Sequence, residues 1–133
     1  MRLAEVARLL AAEPSSPNCD VGREVAFGAA ADLMSDVLSF ARPGAVLLTG
    51  LTNPQVIRTA EVAGVAAIVF VRGKQIPPDT RRLADEAAIP LLCTSLTMFD
   101  ACGCLYEAGL RHHDVRPGDQ PSLAGRAKGE GQS

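Results

Sequence analysis

The sequence predicts an α/β domain, three-layer-like, with a short and mainly parallel sheet flanked by helices. Apolar runs of strand length recur at Ala45-Val46-Leu47-Leu48-Thr49, Ala66-Ala67-Ile68-Val69-Phe70-Val71 and Leu91-Leu92-Cys93. Runs without polar interruption belong to strands covered on both faces. Each is followed by an amphipathic segment that opens on a capping residue or a proline. The units repeat at roughly 22 residues, a spacing that suits parallel strands joined by helical crossovers.

The elements follow in order. Residues 2–12 read as a helix, with Leu3, Val6, Leu9 and Leu10 on one face and Arg2, Glu5 and Arg8 elsewhere. Pro14-Ser15-Ser16-Pro17-Asn18 breaks it. The stretch 22–31 is ambiguous, and the alternation of Val25 and Phe27 with smaller neighbours suggests a short strand over 24–30. Ser35 is placed to cap a helix over 36–41, which Arg42-Pro43-Gly44 ends. After the first buried strand, Thr52-Asn53-Pro54 opens a helix that runs to residue 63 and stops at Gly64. Pro77-Pro78-Asp79 starts another, to residue 88. Thr97 and Asp100 form a loose capping box for the last, over 98–108, with Gly109 at its end. Residues 1–110 form the domain. Residues 111–133, rich in Gly, Pro, Arg, Asp and Gln, read as a flexible polar tail; a second reading has Val115 and Leu123 dock on the body or on a neighbouring chain.

Composition excludes several function classes. The chain has 133 residues, 47% hydrophobic and 21% charged, which is an ordinary globular mix for one domain. Thirteen basic against fifteen acidic side chains give a formal charge of −2, and aromatics are 4% with no Trp. Neither a basic nucleic-acid surface nor a base-stacking platform fits. No apolar run approaches the roughly 20 residues of a membrane helix, and Glu5 and Arg8 interrupt any leader-like stretch. A cytoplasmic protein is expected, with no membrane partner and with Cys19, Cys93, Cys102 and Cys104 reduced.

The motifs of common catalysis are absent from the sequence. Gly73-Lys74 is followed by Gln75, so there is no P-loop, and GxGxxG after a strand, GxSxG, HExxH and paired CxxC do not occur. Cys102-Gly103-Cys104 with His112-His113 raises a metal site, but cysteines two apart on a helix point in divergent directions. Small packed residues are the simpler reading of these cysteines. Asp32, Ser35 and Asp36 read better as capping groups than as catalytic carboxylates, because no partner base or metal ligand accompanies them. No cofactor and no catalytic residue are expected.

Ligands of open parallel sheets bind at the C-terminal strand ends, beside helix N-termini. The polar residues expected there are Thr49, Thr52, Asn53, Arg72, Lys74, Thr94, Ser95 and Thr97. Hydroxyls, an amide and cations suit a phosphate or carboxylate. The competing reading is that Thr52, Asn53, Ser95 and Thr97 only cap helices and that Arg72 and Lys74 face water.

Gly22-Arg23-Glu24-Val25-Ala26-Phe27-Gly28, then Asp32-Leu33-Met34-Ser35-Asp36-Val37-Leu38, resemble the opening of a DRTGG domain. Ala63-Gly64-Val65-Ala66-Ala67-Ile68-Val69, Ala88-Ile89-Pro90-Leu91-Leu92 and Thr97-Met98-Phe99 continue the resemblance over roughly residues 1–110. Of the name-giving letters only Arg23 and Gly28 stand here; Gly22 replaces the Asp. The resemblance extends to the N-terminal domain of HPr kinase/phosphorylase, without its catalytic half, and to small stand-alone members. It implies a non-catalytic regulatory or ligand-sensing module. The expected partners are a small anionic metabolite or nucleotide, a second copy in a homo-oligomer, or a protein partner. The alternative is a scaffold or accessory protein for a redox, hydrogenase-type enzyme complex with no small ligand.

Overall fold

A computed structural model describes residues 1–16 and 19–113. Five strands form one sheet in the order β1-β5-β4-β3-β2. Strands β2 (Phe27–Ala30), β3 (Ala45–Thr49), β4 (Ala67–Phe70) and β5 (Leu91–Cys93) are parallel, and β1 (Glu13–Pro14) adds to β5 antiparallel. Helices α2 (Met34–Phe40), α3 (Pro54–Ala63) and α4 (Pro78–Glu86) cover one face. Helices α1 (Leu3–Leu10) and α5 (Met98–Glu107) cover the other. The α/β class and the mainly parallel sheet agree with the sequence reading.

Alternation along the strands divides the core in two. Val46, Leu48, Ala67, Val69 and Leu92 pack under α1 and α5 with Leu3, Val6, Leu10, Ala101 and Leu105. Leu47, Ile68, Phe70 and Leu91 pack under α2–α4 with Val37, Val56, Ile57, Ala60 and Ala84. All of β3 and β4 is buried, which accounts for their unbroken apolar sequence. Left-handed termini fix the chain turns: Gly64 (φ 74) closes α3 and Ala11 (φ 48) closes α1.

Several boundaries differ from expectation. The segment read only as a breaker contains β1, whose Glu13 and Pro14 register with Cys93 and Leu92. A two-residue exposed pairing leaves no periodicity to detect, and Pro14 is tolerated because the strand lies at an edge. Strand β2 begins at Phe27, not Glu24; residue 24 instead makes an isolated antiparallel bridge to Arg2. The Ser35 cap is contradicted. Helix α2 starts two residues earlier, at Met34, its N-cap is Leu33, and no side chain caps it. Ser35 is thus already inside the first turn. Asn53 occupies the N-cap of α3 without a side-chain bond. Thr97 does cap α5, accepting from the Asp100 N–H at 3.2 Å. The expected tail begins with Arg111, whose carbonyl accepts from the Gly28 N–H at 2.9 Å; from residue 114 onward it lies outside the described residues.

Phe70, 0% exposed, and Phe99, 86% exposed, provide a paired test of this layering. Phe70→Ala is expected to cost about 3–5 kcal/mol in denaturant unfolding. Phe99→Ala is expected to stay within about 0.5 kcal/mol of the parent.

Candidate functional site

The C-terminal ends of the parallel strands are joined into one rim by polar side chains and loop amides. Asp32, in the loop after β2, accepts from the Thr49 hydroxyl at 3.1 Å and from the Gly50 N–H at 2.7 Å through Oδ1. The Thr49 hydroxyl in turn accepts from the Leu51 N–H, and the Thr49 carbonyl from the Val71 N–H. Beyond β4, the Arg72 N–H donates to the Leu96 carbonyl at 2.8 Å and the Gly73 N–H to the Thr94 carbonyl at 2.9 Å. The buried Thr94 hydroxyl donates to the Leu10 carbonyl at 2.7 Å and accepts from the Leu96 N–H. That bond ties the rim to the end of α1. Thr80, buried in the first turn of α4, donates to the Thr52 carbonyl at 2.6 Å.

This rim sorts the expected ligand residues into two groups. Thr49 and Thr94 are buried, and their hydroxyls are engaged inside the fold. Asn53, Arg72, Lys74, Ser95 and Thr97 are exposed, and Thr52 is half-buried. Thr97 faces solvent while its hydroxyl caps α5. The supporting pair lies below, and the exposed set comes from three adjacent loops that share backbone bonds.

Arg72 is the unusual member. It has φ 63, left-handed without being glycine, and Gly73 follows at φ 62. Such a residue costs roughly 1–2 kcal/mol and is held by its surroundings, here by the Leu96 carbonyl. Its guanidinium lies against Gly50. A Cβ at Gly50 would stand 2.6 Å from Arg72 Nη2 and 3.5 Å from Asp32 Oδ1. The bare backbone at 50 therefore makes the room that Arg72 fills. No ion pair to Arg72 occurs within 4 Å among the described residues.

The topology adds a reason to look here. The chain leaves β4 toward α4 on one face and leaves β5 toward α5 on the other. Where neighbouring connections diverge, the layers part above the strand ends. Arg72, Gly73 and Ser95 occupy that divergence.

Other sequence candidates are accounted for structurally. Asp32 does not cap α2; it spans to β3, a contact no local pattern could reveal. The two residues kept from the DRTGG letters support packing: Arg23 donates to the Ala66 carbonyl at 3.2 Å, and a Cβ at Gly28 would stand 3.1 Å from Leu110 Cδ2. All four cysteines are free and half-buried. Burial pushes the Cys19 and Cys102 thiols up, away from the reactive thiolate. Among the described residues, no three His, Cys, Asp or Glu side chains converge on a metal-sized site, and no helix is long and apolar enough to cross a membrane.

If Asp32 braces the rim, Asp32→Ala should lower unfolding stability by about 1–2 kcal/mol, a charge-assisted pair discounted for solvent exposure. Asp36→Ala, on the same acidic stretch, should change it by about 0.5 kcal/mol, an exposed charge–dipole effect. Equal losses in chemical denaturation would reduce Asp32 to an ordinary surface acid.

No protein-family model matches the chain, and no curated protein matches it. Among solved structures, a similar fold is found in the CBS and DRTGG domains of the regulatory region of Clostridium perfringens pyrophosphatase, in complex with the activator diadenosine tetraphosphate. The TM-score is 0.62 at 18% identity, over 78% of this chain and 45% of that chain. The present chain thus spans less than half of that regulatory region, and its fold is DRTGG-like.

Proposed function

We propose that this domain is a non-catalytic regulatory module that senses a small anionic metabolite or nucleotide at the C-terminal rim of its sheet. Arg72 carries the reading: a strained, exposed cation seated on bare Gly50 where the helical layers diverge. Exposed Ala11 and Ala88 are left-handed too, at the ends of α1 and α4; at Arg72 the conformation falls on a cation in a strand-end loop, where retained strain supports a site. The half-buried Thr52 and the exposed Asn53, Ser95 and Thr97 stand on the neighbouring strand-end loops and offer amide and hydroxyl groups, over the buried Thr49 and Thr94. The N-cap side chain of α3 is uncommitted, so Asn53 and the first N–H groups of that helix can face an anion. The fold neighbour supports the class of function, since it is a regulatory region in complex with a nucleotide activator. The P-loop of a kinase is absent from the sequence, so phosphoryl transfer forms no part of this reading.

Calorimetric titration of the whole chain with ATP and with diadenosine tetraphosphate tests it. Saturable binding is expected. Arg72→Ala should weaken it about tenfold or more, the size of one charge-assisted contact. Gly50→Ala should also weaken it, by displacing the guanidinium without removing its charge. Binding by neither nucleotide, or undiminished binding in both variants, rejects the rim as the site.

A second reading, association with another copy or with a protein partner such as a redox enzyme, is favoured by α2. Leu33, Leu38 and Phe40 at and along this helix are 61%, 52% and 65% exposed. Large apolar side chains gathered on one element are typical of interaction surfaces. Native mass spectrometry of the purified chain should then show a multimer that Phe40→Glu with Leu38→Glu converts to monomer. A monomer from the unaltered chain removes the self-association form of this reading.

A further inference from the structure

Three helices cover the second core, and two cover the first. The shortfall falls on β2. Gly28 and Ala30 register with Val46 and Leu48, so these two positions face the α1/α5 layer. Neither carries a side chain longer than a methyl group. Across from them α5 presents Cys102, Leu105 and Tyr106, one helical face at i, i+3 and i+4. The space between is not filled. It forms a half-open slot of about 180 Å³ with Leu48 and Leu110 as further walls. Leu110 reaches this wall only because residue 28 is glycine, with 3.1 Å between Leu110 Cδ2 and the place a Cβ would take.

The lining is apolar except at the end of the described chain. Arg111 and His112 stand there, and among the described residues no carboxylate lines the slot. The Arg111 guanidinium is held in place from two sides. Its Nη1 donates to the Tyr106 carbonyl at 2.8 Å and to the Leu110 carbonyl at 3.0 Å. Its Cζ lies 3.6 Å from the centroid of the Tyr106 ring. Those bonds use the Nη1 protons and leave the Nε/Nη2 edge, the edge that meets a carboxylate in two parallel bonds. A cation already ordered by the fold gives up little entropy on binding. His112 Nδ1 lies 3.3 Å from the Gly28 carbonyl oxygen, which holds the same segment against β2.

We infer that this slot is a second ligand site, separate from the rim, which takes a one-ring aromatic carboxylate with the ring between β2 and α5 and the carboxylate on Arg111. The volume sets the size: an apolar cavity of about 150 Å³ holds a benzene ring. The guanidinium at the mouth sets the headgroup, because Arg111 meets no carboxylate in the lining among the described residues. The inference does not rest on the rim reading.

Amide-resolved NMR titration of the whole chain with benzoate, and with neutral benzyl alcohol, tests it. Saturable shifts are expected at Gly28, Ala30, Cys102 and Tyr106, with benzoate binding more tightly than the alcohol. Arg111→Gln should remove that preference, a loss of about tenfold for benzoate and little for the alcohol. Ala30→Leu should block both probes, and Cys102→Met fills the slot from the helix side should the strand variant fail to fold. Arg72→Ala should leave benzoate binding unchanged, which separates this site from the rim. Absence of saturable shifts, shifts that map elsewhere, binding that survives a folded slot-filling variant, or equal affinity for the two probes overturns the inference.

Discussion

Burial of a parallel sheet on both faces is the constraint from which the rest of this molecule follows. A parallel strand in the middle of such a sheet has no solvent side, so every residue must suit one of two cores. In β3 and β4 successive side chains are assigned to opposite layers, Val46 and Leu48 to one and Leu47 to the other, Ala67 and Val69 to one and Ile68 and Phe70 to the other. That assignment fixes register, since a slip of one residue would exchange the two cores. It also leaves the strand ends as the places where polar groups can enter, and the chain uses them. Thr49 and Thr94 follow the last apolar residues of their runs and turn their hydroxyls into the loops.

These two threonines show how the core reaches the surface. Each is buried, and each hydroxyl serves the amide two residues on, Leu51 or Leu96, while bonding a distant segment, Asp32 or Leu10. A buried hydroxyl needs such partners, because an unpaired one costs about 1–3 kcal/mol. The bonds therefore hold loops that would otherwise be independent. The left-handed Arg72 depends on this framework. Its N–H and that of Gly73 are taken by Leu96 and Thr94, so the strain at 72 is balanced by loops already held in place. Rigid support beneath an exposed cation is the arrangement a binding site requires.

The parts of this structure that were legible in the sequence are the parts governed by local pattern. Strands β3, β4 and β5 announce themselves as apolar runs, and Gly64 and Pro54 bracket α3 by chemistry that acts within one turn. The Thr97 cap was legible for the same reason. What was not legible is non-local. Strand β1 exists because Glu13 and Pro14 find β5 roughly eighty residues later, and two exposed residues carry no period. Asp32 looks like a capping acid, since it stands before a helix, and becomes a brace only once β3 lies beside it. The rim residues were readable as a set, because they follow strands. Their division into buried supports and exposed groups was not, because it depends on which hydroxyls meet partners across the sheet.

The same reasoning explains why the molecule is unevenly filled. The small residues of β2 leave space on both faces, a hollow under α2 beside Ala29 and Ala31 and the slot under α5 beside Gly28 and Ala30. A larger residue at 28 or 30 would fill the space from the strand side. At 28 it would also press on Leu110, and with it on the segment whose carbonyl at 111 covers the edge of β2. Sealing the open edge of the sheet thus competes with filling the layer behind it. Glycine at 28 resolves the competition in favour of the edge, since an exposed strand edge invites pairing with other chains. The unfilled slot follows from that choice, and Arg111, ordered by its own helix, is left standing at the mouth.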